Sequence, residues 1–454
     1  MDSSMSSTCS TTQLRCYDDS YRLFCIEAAD FDCSWYDRGC ACPALRANPD
    51  IAGKGVIAAF IITASLTLIG TVAYLLFRPA SEFPTLNPIN RKLRLVVSRI
   101  RQRVIGPRMT TIWSEALFEI VMQLSDQQLV TGTAMLATII YLRNQGAITV
   151  YHFTMATNLA WFSSNTHLLS LLILRGWLSE EGKVAKRDKD FSATRQSRSK
   201  SIFNEYRSLW RAIFMVIMAI LLIYTNLFVA YEDWYDKYDC PVSCVPSKPI
   251  GGQPKRWLIV NLVFILSSYP IALIGLFAFT RREWMKARSR IHNWDEKKDV
   301  TIKGFVIYKP YRYVRRVLLS LWYFAASEIF EVAIQIAWFG LGIRWVVEDR
   351  KRGHDIMTLD ETDVEDSLGF GQLVPILLLA LPLMSFLEAC YYSWRGLDVE
   401  DEQKRLFKRR LTASHPLENS HRLWHDFNNN PQGYSPDFSD SCFDLQPAQI
   451  VSAP

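Results

Sequence analysis

The sequence predicts an all-α membrane protein: a seven-transmembrane helix bundle with a short Cys-rich extracellular N-terminal segment and a disordered cytoplasmic tail. Three observations carry this expectation. Hydrophobic residues make up an ordinary 49% of the 454-residue chain, but they are gathered into long runs with the charges between them. The segments between runs alternate between strongly basic and acidic or balanced, the signature of loops sorted to opposite sides of a bilayer. Eight of the ten cysteines fall in segments that this alternation places on one side, as an oxidising compartment requires.

The first run, "GVIAAFIITASLTLIGTVAYLLF" (55–77), has no charge over 23 residues. As a helix it is about 34 Å long, enough to cross a hydrocarbon core of about 30 Å. Further runs lie at 128–142, 149–174, 209–230, 257–279, 317–343 and 369–392. The run at 128–142 is short, but basic loops flank the pair 128–174 on both sides, so an even number of crossings lies between them. A hairpin turning at "RNQGAI" (143–148), with Arg143 reaching outward to water, satisfies that parity. A re-entrant pair is the alternative. Three parts follow: an extracellular segment 1–54, a transmembrane domain 55–393 and a tail 394–454.

Sidedness comes from charge. Segment 78–111 carries eight Arg and Lys residues against one acid, Glu82, and 175–208 and 280–316 are similarly basic. Short basic loops resist translocation, so all three are expected at the cytosolic face. Residues 344–368 are acidic and 231–256 balanced, so both are expected outside. The amino terminus is then outside and the carboxyl terminus cytoplasmic, in the plasma membrane or another secretory-pathway membrane. The opening "MDSSMSSTCSTTQLRC" lacks the basic-then-apolar pattern of a cleaved signal peptide. The net charge of +6 is concentrated beside the membrane and implies no nucleic-acid partner.

Cys9, Cys16, Cys25, Cys33, Cys40 and Cys42 precede the first run, and Cys240 and Cys244 sit in "CPVSC" of the second outer loop. All eight are disulfide candidates. Six cysteines in one short segment allow fifteen pairings, which sequence leaves open. Their spacing lacks the paired CxxC knuckles of a zinc module, so neither metal nor cofactor is expected. On the inner side, "INRKLRLVVSRIRQRVI" (89–105) puts Ile89, Leu93, Val96, Val97, Ile100 and Val104 on one helical stripe among arginines. Such a helix favours anionic lipids at the membrane surface, with a cytosolic protein as the alternative partner at these basic inner loops. After 393 the chain turns polar, and 412–454 reads as disordered.

Inside the membrane the polar residues are the candidate site. "LWYFAASEIFEVAIQIAWFG" (321–340) carries Glu328, Glu331 and Gln335 at i, i+3 and i+7, one helical face, with no cation in the same stretch. An acid at the bilayer centre costs roughly 3 kcal/mol, so this face is expected to look into the bundle. Asn158, Asn165 and His167 of the third span and Glu388 of the last join the inward set, and His167 and Glu388 are expected at similar depth. Pro270, Pro375 and Pro382 are expected to kink their spans.

Four stretches, "NPDIAGKGV", "LSDQQLVTG", "LAWFSSNTHL" and "GFGQLVP", resemble a group of uncharacterised multi-pass integral membrane proteins of filamentous fungi. The resemblance covers most of 48–392 and implies the membrane architecture without transferring any activity. A retinal protein needs a lysine in the last span, and 369–392 has none. The several span histidines of ceramidase-like and adiponectin-receptor-like hydrolases are missing too, as are the DRY and NPxxY signatures of rhodopsin-type receptors. The favoured reading is a non-catalytic receptor-like or sensor protein. A proton-coupled transporter of a small or hydrophobic solute, using Glu328, Glu331 and Glu388, is the second. An intramembrane enzyme on a lipid or hydrophobic metabolite, with His167 as acid/base, is the third.

Overall fold

The computed structural model describes residues 13–17, 23–27, 33, 41–78, 87–104, 107–188, 195–231, 234–245, 252–277 and 305–391, with scattered positions between 279 and 290 and at 394–395. The chain divides into two units, Met1–Ser393 and Trp394–Pro454. The tail beyond 395 lies outside the described residues, as do Cys9 and Cys40.

The protein is a helical membrane protein. Five of its helical stretches are long and apolar enough to cross a bilayer: Pro49–Phe77, Leu209–Phe228, Pro254–Leu273, Glu328–Ile356 and Leu359–Tyr391. In chain order the helices are α1 (Pro49–Ala52), α2 (Lys54–Phe77), α3 (Pro88–Val104), α4 (Pro107–Asn144), α5 (Val150–Asp188) and α6 (Arg195–Phe228). There follow α7 (Gly252–Leu276), α8 (Phe305–Ala325), α9 (Glu328–Ile356), α10 (Leu359–Asp366), α11 (Phe370–Leu378) and a last helix over 380–391. The all-α expectation has one exception before the first span: β1 (Gln13–Tyr17) and β2 (Leu23–Glu27) form an antiparallel hairpin with Arg15 opposite Cys25.

α5 is the hub. It packs on α2, α4, α7 and α9, and nearly every side chain from Val150 to Leu174 is buried, including Tyr151, Phe153, Met155, Leu159, Phe162, Leu171 and Ile173 with no exposure at all. α4 is its antiparallel partner. The short run at 128–142 belongs to one 38-residue helix that begins at Pro107. The two helices join through the anticipated turn: Gly146 adopts φ 68°, a left-handed conformation that suits glycine, and its N–H bonds to the Arg143 carbonyl. Arg143 reaches outward, its guanidinium carbon 3.9 Å from the centre of the Phe228 ring.

Two span boundaries need correction. The run 317–343 is not one helix. α8 ends at Ala325, Ser327 turns to an extended backbone, and its hydroxyl caps α9 by accepting from the Phe330 N–H at 3.2 Å. A serine N-cap followed by acids is a helix start, and it overrides the continuous hydropathy. α9 then runs on to Ile356, so most of the stretch expected as an acidic outer loop is helical, with α10 completing it. The last run is also interrupted, at Leu379. Pro382 lies four residues beyond Leu378, where its ring opposes that carbonyl and breaks the helix. Pro375, by contrast, sits inside α11, and Pro270 inside an unbroken α7.

The cysteine-bearing segments meet. Cys33 is bonded to Cys244 and Cys42 to Cys240, so two disulfides of the amino-terminal segment leave it for the 231–245 loop rather than closing within it. Cys25 is disulfide-bonded as well, while Cys16 lies in β1. The same loop is stitched to the start of α5: Val150 N–H bonds to the Cys240 carbonyl at 2.9 Å and Val242 N–H to the Ile148 carbonyl at 3.0 Å.

These crosslinks predict a gel result. With a protease site inserted between α5 and α6, cleaved protein should run as one band without reductant and as two with it. Two bands in both lanes would contradict the pairing. A second expectation concerns Gly353, where an added Cβ runs into the Tyr151 ring. Gly353→Ala should lower stability by about 1–3 kcal/mol, the usual range for overpacking, in detergent thermal unfolding. Gly340→Ala, where an added Cβ meets nothing within 4 Å, is the control.

Candidate functional site

The polar side chains fall into three groups along the bundle. The first lies at the disulfide-bearing end and centres on Glu365 of α10, which has no exposure. One carboxylate oxygen meets His152 Nε2 at 3.2 Å; the other meets His354 Nε2 at 2.8 Å and accepts from the Tyr151 hydroxyl at 3.0 Å. His152 uses its second nitrogen on the Thr149 hydroxyl at 2.8 Å. Gln372 donates to the Glu365 and Ser367 carbonyls and accepts from Gly55 N–H at 2.9 Å. Lys54 and Arg350 both pair with Asp366. This carboxylate therefore joins α5, α9 and α10, and Gln372 and Asp366 tie α2 and α11 to the same point.

Beside it, Asp349 of α9 accepts from Tyr238 at 2.7 Å and from the Asn158 amide at 2.7 Å. In the loop above, burial raises the pKa of Tyr235, to about 12, with the Asp349 carboxylate adding to it. Burial raises Tyr238 further for the same two reasons. Both phenols are thus held as neutral donors. Burial also raises the Asp239 carboxyl.

The second group lies between α4 and α5. Ser125 Oγ is 3.0 Å from His167 Nδ1 and 2.7 Å from Ser170 Oγ, and Ser163 donates to Gln128 at 2.7 Å. Arg211 of α6 forms a two-pronged bond to Asp126. Among the described residues, His167 Nε2 has no partner, and neither the oxygen nor the nitrogen of the Asn165 amide has one. Gln335 of α9 is buried as well, and its Oε1 has no partner among the described residues. Aromatic rings pack the α5–α9 interface: Trp161 stands 5.4 Å from Trp338 and 5.1 Å from Phe264 of α7, centre to centre.

The third group answers what the two acids of 321–340 are doing. Glu328 and Glu331 open α9, where negative charge offsets the helix dipole. Neither lacks a cation: Arg94 of α3 reaches Glu328 at 2.6 Å, and Arg175 of α5 pairs with Glu331. They are partly exposed and sit at a helix break rather than mid-span. Gln335 alone of that trio is deeply buried. Glu388 is exposed on the helix over 380–391, whereas His167 is buried and turns to Ser125.

Tyr151, His152, Asp349, His354, Glu365 and Gln372 were not singled out by sequence. Glu365 is one of several acids in "LDETDVEDS", and nothing local marks the one that becomes buried. The break at Ser327 did leave a signal, a serine followed by acids at the first and fourth helical positions.

No family model matches the chain, and no solved structure does. Over 144 residues, 32% of the chain, it is 34% identical to the Elsinochromes biosynthesis cluster protein HP3 of Elsinoe fawcettii. The match spans about half of that relative's length (51%).

The unpartnered Asn165 amide supplies a test. A buried polar group without a hydrogen bond costs about 1–3 kcal/mol. Asn165→Leu, which keeps the branched four-heavy-atom outline without the polar atoms, should therefore raise the unfolding temperature in detergent. A fall would mean that the amide is satisfied by something bound.

Proposed function

We propose that the chain is a seven-span, non-catalytic sensor of receptor-like type, with its amino terminus and disulfides outside and its carboxyl terminus in the cytosol. The observation that carries this reading is the pair of polar clamps on α9. One end is held by Arg94 and Arg175, and the other by Asn158, Tyr238 and the Glu365 network. A single 29-residue helix thus connects a disulfide-bonded face to a basic one, which is what carrying a state across a membrane needs. Counting α4 and α5 as spans supports the number seven. Their polar residues face protein rather than lipid, so low hydropathy does not disqualify them. The favoured location is the plasma membrane or another membrane of the secretory pathway.

A carrier of a small or hydrophobic solute is the second reading. The buried Asn165 and Gln335 groups, unpaired among the described residues, favour it, as does a relative whose name places it in a biosynthesis cluster. The glutamates do not, since Glu328 and Glu331 are engaged by arginines and Glu388 is exposed. The enzyme reading is weaker. Ser125 and His167 are within hydrogen-bond reach, but both are fully buried, out of reach of a substrate.

Hydrogen exchange on the full-length protein in lipid nanodiscs tests the sensor. Glu365→Gln removes the charge that holds His152 and His354. It should accelerate exchange at 87–104 and 327–332, at the opposite end of α9, by at least about fivefold, the lower bound of typical coupling between sites. Faster exchange confined to 147–158 and 349–372 would overturn the reading.

A further inference from the structure

α3 is attached to the bundle by its polar side. Asn87, Asn90, Arg94 and Arg101 recur at i, i+3, i+7 and i+14, one face of the helix. Asn87 donates to the Tyr323 carbonyl at 2.8 Å and the Ala326 carbonyl at 3.1 Å. Asn90 accepts from Glu328 N–H at 3.1 Å, and Arg94 pairs with Glu328. Arg101 donates to the Phe77 carbonyl at 3.2 Å and to the Arg78 carbonyl at the end of α2. The helix is thus a crossbar between the end of α2 and the break that opens α9.

The other face is left over. It carries four exposed cations, Arg91, Lys92, Arg99 and Arg103. Among them stand Leu95, Val96 and Ile100, exposed by 53%, 53% and 59%. An amphipathic helix inside a soluble core buries its apolar side and leaves its charges outward. Here the clips hold polar groups inward, so aliphatic and cationic side chains share the free face. Helices that lie in a lipid interface have this composition, with aliphatic groups entering the acyl boundary and cations meeting phosphate.

We infer that the free face of α3 docks on the headgroup region of an anionic phospholipid leaflet. Charge decides the occupant: four cations and no acid occupy this face, and each Lys or Arg near an anionic surface favours binding about fivefold. Because Asn87, Asn90 and Arg94 bind the α8–α9 break, lipid composition then bears on the geometry of α9. The inference rests on the chain spanning a bilayer. It does not rest on the sensor reading, nor on which leaflet faces the cytosol.

The test uses the full-length protein in nanodiscs of phosphatidylcholine alone, or with phosphatidylserine added. A genetically encoded fluorescent amino acid replaces Ile100, and quenching by nitroxide-labelled lipid is measured. Strong quenching is expected in both, deeper with phosphatidylserine. In a variant with Arg91, Lys92, Arg99 and Arg103 all changed to Gln, the dependence on phosphatidylserine should disappear while helicity by circular dichroism stays the same. Those four side chains make none of the clips, so the helix should remain attached. No quenching in either lipid overturns the inference, and shielding only after cytosolic protein is added assigns the face to a protein instead. Quenching indifferent to phosphatidylserine overturns its electrostatic part. A failed exchange experiment on Glu365→Gln leaves the lipid result standing, so the two can fail separately.

Discussion

The burial of α5 on every side is the constraint on which the rest of the structure depends. A helix carrying Thr, Ser, Asn and His through a bilayer must find protein partners for them, because lipid offers none. Three of its neighbours supply some. Gln128 and Ser125 come from α4, Tyr269 from α7 reaches Ser164 at 2.9 Å, and Asp349 comes from α9. Hydrogen bonds of this kind fix which helix lies on which side of α5 and at what height, which apolar packing alone does loosely. They also make α5 and α4 look less apolar than the helices around them, since the outer helices solvate the inner ones.

α9 shows how the same logic works at the ends of a span. Its first turn is acidic and its partners are arginines from α3 and α5, so helix dipole and ion pairs act together. Its last turns carry Asp349 to Asn158 and Tyr238, and His354 to Glu365. Between these clamps the contacts are mostly aromatic, with Trp338, Phe339 and Trp345 against Trp161 and Phe162. Polar at both ends and aromatic between, the helix is held in register over its whole length.

The four stretches quoted from the sequence pack against one another in pairs. "NPDIAGKGV" and "GFGQLVP" meet where Gly55 N–H bonds to Gln372. "LSDQQLVTG" and "LAWFSSNTHL" face one another through Gln128–Ser163 and Ser125–His167.

Membrane character, the hairpin at 143–148 and the fact that the cysteines are crosslinked were legible in the chain, because apolar runs, a glycine turn and cysteine segregation are local properties. The amphipathic nature of α3 was legible too. Its attachment by Asn87, Asn90, Arg94 and Arg101 was not, since the partners lie about 240 residues away for Glu328 and at the far end of α2 for Phe77. Glu328 and Glu331 stood out in the sequence, but their place at a helix start did not, because hydropathy averages over a break of only two residues. By itself the sequence determined that the chain is a helical membrane protein, through transfer free energies that each residue carries alone. Only the tertiary structure decided which acids are neutralised, which cysteines pair and which amides stay unpaired, because those outcomes depend on groups that meet only when distant helices pack.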